Sequence, residues 1–416
     1  MRESGDFSSG LVLLGLAFAV LALQGCVVQE QRPMTRIPAE RAIAEVPQQE
    51  LLDVGIRIFD PNIPQDEKQL EKDRIFPDVR RAESRYIPVT LRDTLERTGY
   101  WGQVRVLPPG AGGAELLLDG TILESNGRVL RLDVTVQDST GRVWYRKTYQ
   151  GDADTRAYKG GPGRPADPFE NLYNTIANDL LEARRRLSRE DLVAIRQVSE
   201  LRFAAELAPY AYGPYLVQDR KGEYSVVRLP AEQDPLMRRI HGVRERDYAL
   251  VDTLNEHYAA FGAGMSDPYT NWRKYMYEEL EAEAEAKRQA LTRQLLGAAA
   301  VIGGVVAGSN SSGSAASAAA TAAVIGGMYA FKSGFDMRAE VKMHGETLKQ
   351  LGDSFQAEVQ PMVVDVEGRT LQLKGSAEEQ YAEWRRLLKE LYENETGLPA
   401  IVGGAADGSK PAAGRR

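Results

Sequence analysis

LLLDGTIL at 116–123, followed by Asn126-Gly127 and by VLRLDVTVQ at 129–137, is the stretch that decides the fold of the N-terminal half of the chain. Both runs are rich in aliphatic and β-branched residues, which is typical of strands, and Asn-Gly between two strands favours a hairpin. A further run, RVWYRKTYQ at 142–150, predicts a third strand of the same meander.

The flanking sequence adds helices to this meander. Strands are also predicted at 54–59 and 103–107, and helices at 86–97 and 169–187. The first helix stops before Gly99, where a C-terminal glycine cap is expected, and Asp167-Pro168 opens the second. The order strand–helix–strand, meander and helix predicts an α+β fold, with helices packed on a mixed sheet, over residues 50–190.

Three short motifs of this region resemble a known family. They are LRDTL at 91–95, TGYW at 98–101 and LLDGTI at 117–122. The region is similar to the small α/β domain of envelope lipoproteins such as the curli-secretion and Pel-polysaccharide lipoproteins, which is also like the N-terminal domain of TolB. The resemblance implies a scaffold for rings or partner docking that carries no catalytic residues.

The lone cysteine follows an apolar segment near the N-terminus. Residues 11–23 are uncharged and mostly aliphatic, too short for a transmembrane helix and long enough for the apolar core of a signal peptide. The segment ends in Leu23-Gln24-Gly25-Cys26, which resembles the lipobox of bacterial lipoproteins. The resemblance implies that residues 1–25 are a signal peptide and that Cys26 is acylated. A buried cysteine at the end of a short apolar helix is the alternative.

The residue after the cysteine bears on location. In such lipoproteins an Asp there favours retention at the inner membrane, whereas this chain has Val27. The resemblance therefore implies an outer-membrane lipoprotein, anchored by lipid and facing the periplasm. Residues 26–49 are polar, contain proline and show little periodicity, so they predict a flexible tether.

A mainly helical region is predicted at 191–293. Its apolar and aromatic residues recur at helical spacing in two groups: Tyr248, Val251, Leu254, Tyr258 and Phe261, and then Tyr269, Trp272, Tyr275, Met276 and Leu280. Residues at this spacing lie on one face of a helix, and such an apolar face usually packs in a core. The alternative is a platform for a glycan or a partner helix, because Trp and Tyr anchor such contacts.

The segment 294–331 carries no charge. Two apolar blocks flank a polar tip, and AAVIGG at 299–304 returns as AAVIGG at 322–327. This pattern resembles the glycine-zipper hairpins of outer-membrane lipoproteins, in which small residues let two helices approach closely. The glycines expected to form the membrane or oligomer contact are Gly297, Gly303, Gly304, Gly308, Gly326 and Gly327. Insertion in or contact with a membrane, burial in a soluble helical interface, and a disordered linker all remain open.

The remainder of the chain predicts a small strand–helix unit and a tail. Residues 332–398 read as a helix, a β-hairpin and an amphipathic helix that Ser376 caps, with Glu379 three residues later. Residues 399–416 are rich in Gly and Ala and are expected to be disordered.

Composition narrows the function. The chain has 416 residues, a formal net charge of -7, one Cys and three His. These counts disfavour a nucleic-acid binder, a disulfide framework and a Cys- or His-based metal centre, and no catalytic motif or cofactor site is found. We expect a non-enzymatic structural or assembly lipoprotein of an oligomeric envelope or export complex, which self-associates or binds other envelope proteins. The alternative is a periplasmic module that binds peptidoglycan or polysaccharide.

Overall fold

A mixed five-stranded sheet organises the N-terminal half of the protein in the computed structural model. The structure describes residues 34–159, 165–306, 346–347, 349–350, 352–353, 362–366 and 369–396. The strands are β1 (Val54–Arg57), β2 (Val104–Leu107), β3 (Leu116–Ser125), β4 (Val129–Asp138) and β5 (Val143–Asp152). Their spatial order is β2-β1-β3-β4-β5. Strand β1 is parallel to β2 and β3, and β3, β4 and β5 form the predicted antiparallel meander.

Helices cover one face of this sheet, which confirms the predicted α+β class. They are α2 (Pro77–Glu96) and α3 (Glu170–Arg185), and the short helix α1 (Glu67–Asp73), which has no buried residue, precedes them. Strand β4 alternates strictly between buried and half-buried residues, as expected for a sheet with one covered face. Its buried side chains share a core with α2 and α3, formed in part by Leu130, Leu132, Val134, Val136, Ile87, Leu91, Leu172 and Ile176.

The second half is mainly helical, as predicted. It contains α4 (Arg189–Leu207), the small hairpin β6 (Leu216–Gln218) and β7 (Tyr224–Val226), and α5 (Pro235–Val306). The hairpin β8 (Met362–Val366) and β9 (Arg369–Leu373) and the helix α6 (Ala377–Thr396) follow. The predicted cap of α6 is confirmed, because Ser376 and Glu379 exchange backbone and side-chain hydrogen bonds.

Helix α5 is one continuous element, although the sequence pattern suggests several shorter helices. It has 72 residues and passes through Pro268 without ending. At about 1.5 Å per residue it is about 108 Å long. Its buried residues form a second core with α2, α4 and α6. This packing against three other helices, by residues from Met237 to Met276, stabilises about the first 40 residues of α5.

The start of α2 differs from its predicted position at residue 86. The helix begins at Pro77, a favoured first residue of a helix, and Pro88 lies inside it. Val79 and Ala82 are buried in the core shared with α5 and not in the sheet core. Because α2 lies between the sheet and α5, it buries two faces, and the single-face pattern used for the prediction misses its first turns.

The N-terminal segment is also different from its prediction. Residues 26–49 are expected to be a flexible tether, but from Arg36 onward the structure places the chain in hydrogen-bonded contact with α3. A one-turn 3₁₀ helix, Gln48–Glu50, ends the segment just before β1. We call residues 36–50 the strap. For residues 36–49 the prediction is wrong, because side chains of α3 bind the backbone of the strap, and such binding leaves no apolar pattern in the strap sequence. Residues 26–33 lie outside the described part of the chain.

Candidate functional site

The predicted site residues fall mostly outside the described part of the chain. Cys26, Gly308, Gly326 and Gly327 lie outside it, as do the signal peptide and the tail at 399–416. Gly297, Gly303 and Gly304 lie in the last turns of α5. Within the described residues, no helix combines the length and the apolar character needed to cross a membrane. The predicted hairpin and the lipidation of Cys26 therefore stay predictions.

The predicted aromatic groups are placed in the core, and the alternative of an exposed platform is wrong for most of their rings. Tyr258, Tyr269 and Trp272 are at most 1% exposed. The Tyr269 and Trp272 rings stack with their centroids 6.0 Å apart, and Tyr86 meets Tyr269 edge to face. These rings join α5 to α2 and are not available to bind a glycan.

Three asparagines of α3 hold the strap. Asn171, Asn174 and Asn178 are spaced by three and four residues and so lie on one face of the helix. The amide N–H groups of Ile37 and Glu40 donate to Asn171 Oδ1 and Asn178 Oδ1, each at 2.8 Å. In return, Asn174 and Asn178 donate to the carbonyl oxygens of residues 37 and 38, at 2.8 and 3.0 Å. We call these three side chains the asparagine ladder. They satisfy the backbone N–H and C=O groups of an extended segment much as a neighbouring strand does.

Charged side chains at both ends of the strap add to the ladder. Arg36 pairs with Glu170 at 2.8 Å, and Arg185 pairs with Glu40. The hydrogen bond from Arg185 holds the pKa of the Glu40 carboxyl below its usual value. At the far end, Arg196 donates to backbone carbonyls of residues 48, 49 and 51. The strap is thus attached to the domain at both of its ends.

A buried polar network joins α2, the β3 strand and α5. Glu83 is fully buried, and its Oε1 accepts hydrogen bonds from Ser125 Oγ at 2.5 Å and from Tyr269 OH at 2.6 Å. Arg80 lies 3.5 Å from its other oxygen. Burial raises the pKa of the Glu83 carboxyl, and the nearby Arg80 charge opposes this rise.

A second buried ion pair lies beside this network. Arg273 of α5 is fully buried and donates to both oxygens of Asp167, at 3.3 and 2.9 Å. Its guanidinium also lies 4.0 Å from the centre of the Tyr269 ring, a cation–π distance. The neighbouring acidic groups keep the pKa of Arg273 well above its usual value, against the effect of burial. The two networks fix the long helix to the sheet domain.

A crevice of about 610 Å³ opens next to Asp167. It lies between α2, the start of α3 and the middle of α5, and Arg36 of the strap stands at it. Tyr173 lines it, is 1% exposed, and its hydroxyl has no hydrogen-bond partner among the described residues. Neither the crevice nor the two networks were predicted, because their residues are far apart in sequence. The asparagine ladder had a visible signal in its three-and-four spacing.

No protein-family model matches the chain, and no curated protein or solved structure matches it either. The resemblance to envelope lipoproteins therefore rests on the sequence motifs alone. Nor do the described residues contain a group of three or more His, Cys, Asp or Glu side chains that could hold a metal ion.

Proposed function

We propose that the protein is a lipid-anchored outer-membrane lipoprotein that acts as a structural or assembly subunit of an oligomeric envelope or export complex. The observation that carries the proposal is the strap, which is attached to α3 from Arg36 onward. Arg36 is ten positions after Cys26, so the link spans at most about 36 Å. An acyl anchor at Cys26 would hold the sheet domain close to the membrane.

The length of α5 supports the same arrangement. Ser266 lines the same crevice as Arg36, and from there α5 extends about 44 Å to Leu295, at the start of the uncharged segment 294–331. This length is close to the reach of the N-terminal link. The 294–331 segment would be a second attachment to the same membrane as the lipid of Cys26. Two attachments of this kind would fix the orientation of a scaffold protein relative to the membrane.

Replacement of the cysteine tests the anchor. Cys26→Ser removes the only thiol that can be acylated, and we expect the variant to remain unprocessed or to appear in the soluble fraction. Fractionation, radiolabelled palmitate incorporation and the mass of the mature N-terminus measure this. Normal processing and unchanged membrane retention of the variant would show that the lipidation proposal is wrong.

Deletion of 294–331 with Cys26 intact tests the second attachment and the assembly role. We expect the full chain, extracted in detergent, to form a high-mass species in native sizing, and the deleted protein to stay lipidated but to lose that species. Deletion of 399–416 is the matched control, since it also shortens the chain but spares the apolar blocks. If the full chain is a monomer, or if the 294–331 deletion leaves its assembly intact, the proposed role of this segment is wrong.

A further inference from the structure

The crevice beside Asp167 has the size of a small-molecule site. Its volume of about 610 Å³ lies within the usual range of about 300–1,000 Å³. One wall is α2, and the opposite wall is a face of α5 made of the small residues Ala259, Gly262, Ala263 and Ser266. The side chains of this α5 wall are small, so they leave the volume of the crevice free.

Tyr173 provides an unused hydrogen-bonding group at this crevice. Its side chain is almost fully buried and its hydroxyl lacks a partner among the described residues. The charged groups that act most strongly on the hydroxyl are Asp167, which also lines the crevice, and Arg273. A buried phenol hydroxyl without a hydrogen-bond partner is uncommon and destabilises the fold. A bound molecule with a hydroxyl group would supply the missing hydrogen bond.

The crevice is lined by three arginines and three carboxylates. Its three carboxylates each have an arginine partner: Asp93 pairs with Arg92, Asp167 with Arg273, and Glu170 with Arg36. Arg97 also lines the crevice, is exposed, and donates to the hydroxyl oxygen of Thr94 at 3.2 Å.

These features define a ligand with several hydroxyls and one negative charge. Paired arginine and carboxylate groups can donate to and accept from sugar hydroxyls, because each keeps unused hydrogen-bonding positions. The apolar parts of Val89, Ala259 and Ala263 offer a surface for the C–H face of a sugar ring. A polyphosphate would meet three carboxylates as well as three arginines, so it fits less well.

We propose that the crevice between α2, α3 and α5 binds a short acidic saccharide, with Arg97 on its carboxylate and Tyr173 on a ring hydroxyl. The site does not depend on the lipid anchor, and it is distinct from the aromatic groups considered from the sequence. A uronic-acid oligomer and a muramyl sugar share this chemistry, since each carries ring hydroxyls and a carboxylate.

Calorimetric titration of the detergent-extracted full chain tests the proposal with defined probes. Trigalacturonic acid and the GlcNAc–MurNAc disaccharide represent the two sources of an acidic saccharide. Maltotriose and diacetylchitobiose are neutral controls of similar size, and tri-glutamate is an anion without a sugar. We expect one acidic saccharide to bind at least about tenfold more tightly than its neutral control, because an arginine–carboxylate bond contributes on the order of 1.4 kcal/mol or more.

Two variants locate the site. Arg97→Gln should reduce the affinity for the acidic saccharide about tenfold or more and leave weak neutral binding unchanged. Tyr173→Phe should weaken binding of the acidic saccharide while the apo protein unfolds at the same or a higher temperature, since the lost hydroxyl has no partner in the protein. Asn271→Ala, an exposed position of α5 away from the crevice, is the matched control and should bind as the unaltered chain does.

Three outcomes would overturn the proposal. The first is no detectable binding of either acidic saccharide at about 10 mM, the weak end of specific recognition. The second is equal binding of acidic and neutral sugars, or of tri-glutamate, which would remove the specificity argued above. The third is saccharide binding that Arg97→Gln and Tyr173→Phe leave unchanged, which would place the site elsewhere. None of these outcomes bears on the lipidation of Cys26.

Discussion

Arg273 and Asp167 form an ion pair in the interior of the protein, with Nη2 and Oδ2 2.9 Å apart. Arg273 belongs to the long helix α5, and Asp167 lies just ahead of α3 on the sheet domain. Asp167 Oδ1 also accepts the amide N–H of Phe169 at 2.8 Å, so the same carboxylate caps the entry to α3. One side chain thus holds two elements in place.

Breaking this pair should destabilise the protein strongly. Arg273→Met leaves the Asp167 carboxylate buried without its cation, and we expect a loss of about 3 kcal/mol or more in the free energy of unfolding. The double variant with Asp167→Asn keeps the cap acceptor and removes the uncompensated charge, so its loss should be smaller. Urea unfolding of the single and double variants measures the coupling.

A partly exposed ion pair provides the comparison. Arg74 of the segment after α1 pairs with Glu283 of α5, and both side chains are about one-third exposed. Arg74→Ala should cost about 1 kcal/mol or less, because solvent screens such pairs. If Arg273→Met costs no more than Arg74→Ala, the buried pair does not fix α5 to the domain.

The buried Glu83 should make stability depend on pH. Burial raises its pKa in the folded protein above the ordinary value of 4.5. The folded state therefore binds this proton more tightly than the unfolded chain does. Its contribution to stability is greatest below pH 4.5 and falls as the pH rises from there to the raised pKa.

Glu83→Gln isolates this effect. The amide oxygen can still accept hydrogen bonds from Ser125 and Tyr269, but the side chain cannot ionise. We expect the free energy of unfolding of the variant, relative to the unaltered protein, to increase with pH above 4.5. Urea titrations from about pH 4 to 8 measure it, and Glu182→Gln at an exposed position of α3 is the control. A difference that is constant over this range would contradict the prediction.

The asparagine ladder should determine whether the strap stays on α3. Replacement of Asn171, Asn174 and Asn178 by Ala removes four hydrogen bonds to the strap backbone. At about 1 kcal/mol per bond, local opening should become at least about 100-fold more frequent. Hydrogen exchange at the amides of residues 37 and 40, and the rate of tryptic cleavage after Arg41, report this opening. Asn271→Ala should change neither, and unchanged protection in the triple variant would show that the ladder does not hold the strap.

The sequence predicts the sheet well because strand signals are local. The alternation of β4 and the Asn126-Gly127 hairpin are confirmed almost residue for residue. The start of α2 is missed because Val79 and Ala82 face a helix that lies far along the chain. Glu83 and Tyr269 are 186 residues apart, so no spacing rule connects them. Partners that meet only through the tertiary fold are thus beyond pattern analysis of one sequence.

Gly127 shows how a correct prediction can have a different physical cause. Asn-Gly predicts a hairpin because such turns need positive φ, yet φ of Gly127 is not positive. The turn is closed by Asn126, whose Oδ1 accepts the amide N–H groups of residues 128 and 129 at 2.8 and 2.7 Å. A Cβ at residue 127 would lie 1.8 Å from the carbonyl oxygen of Arg273. The glycine is needed because the hairpin meets the backbone of α5.

Gly127→Ala should therefore push the hairpin and α5 apart. The atoms in the way belong to helix backbone and cannot rotate aside, so we expect a loss of about 2 kcal/mol or more in the free energy of unfolding. Gly242→Ala is the matched control: Gly242 lies within α5 and has no atom within 4 Å of an added Cβ. That change should stabilise the protein by about 0.5–1 kcal/mol, because Ala favours a helix interior over Gly. Thermal and urea unfolding of both variants measure the change in the free energy of unfolding, which we expect to have opposite signs. Equal effects of the two substitutions would mean that the hairpin does not contact α5 as closely as the structure places it.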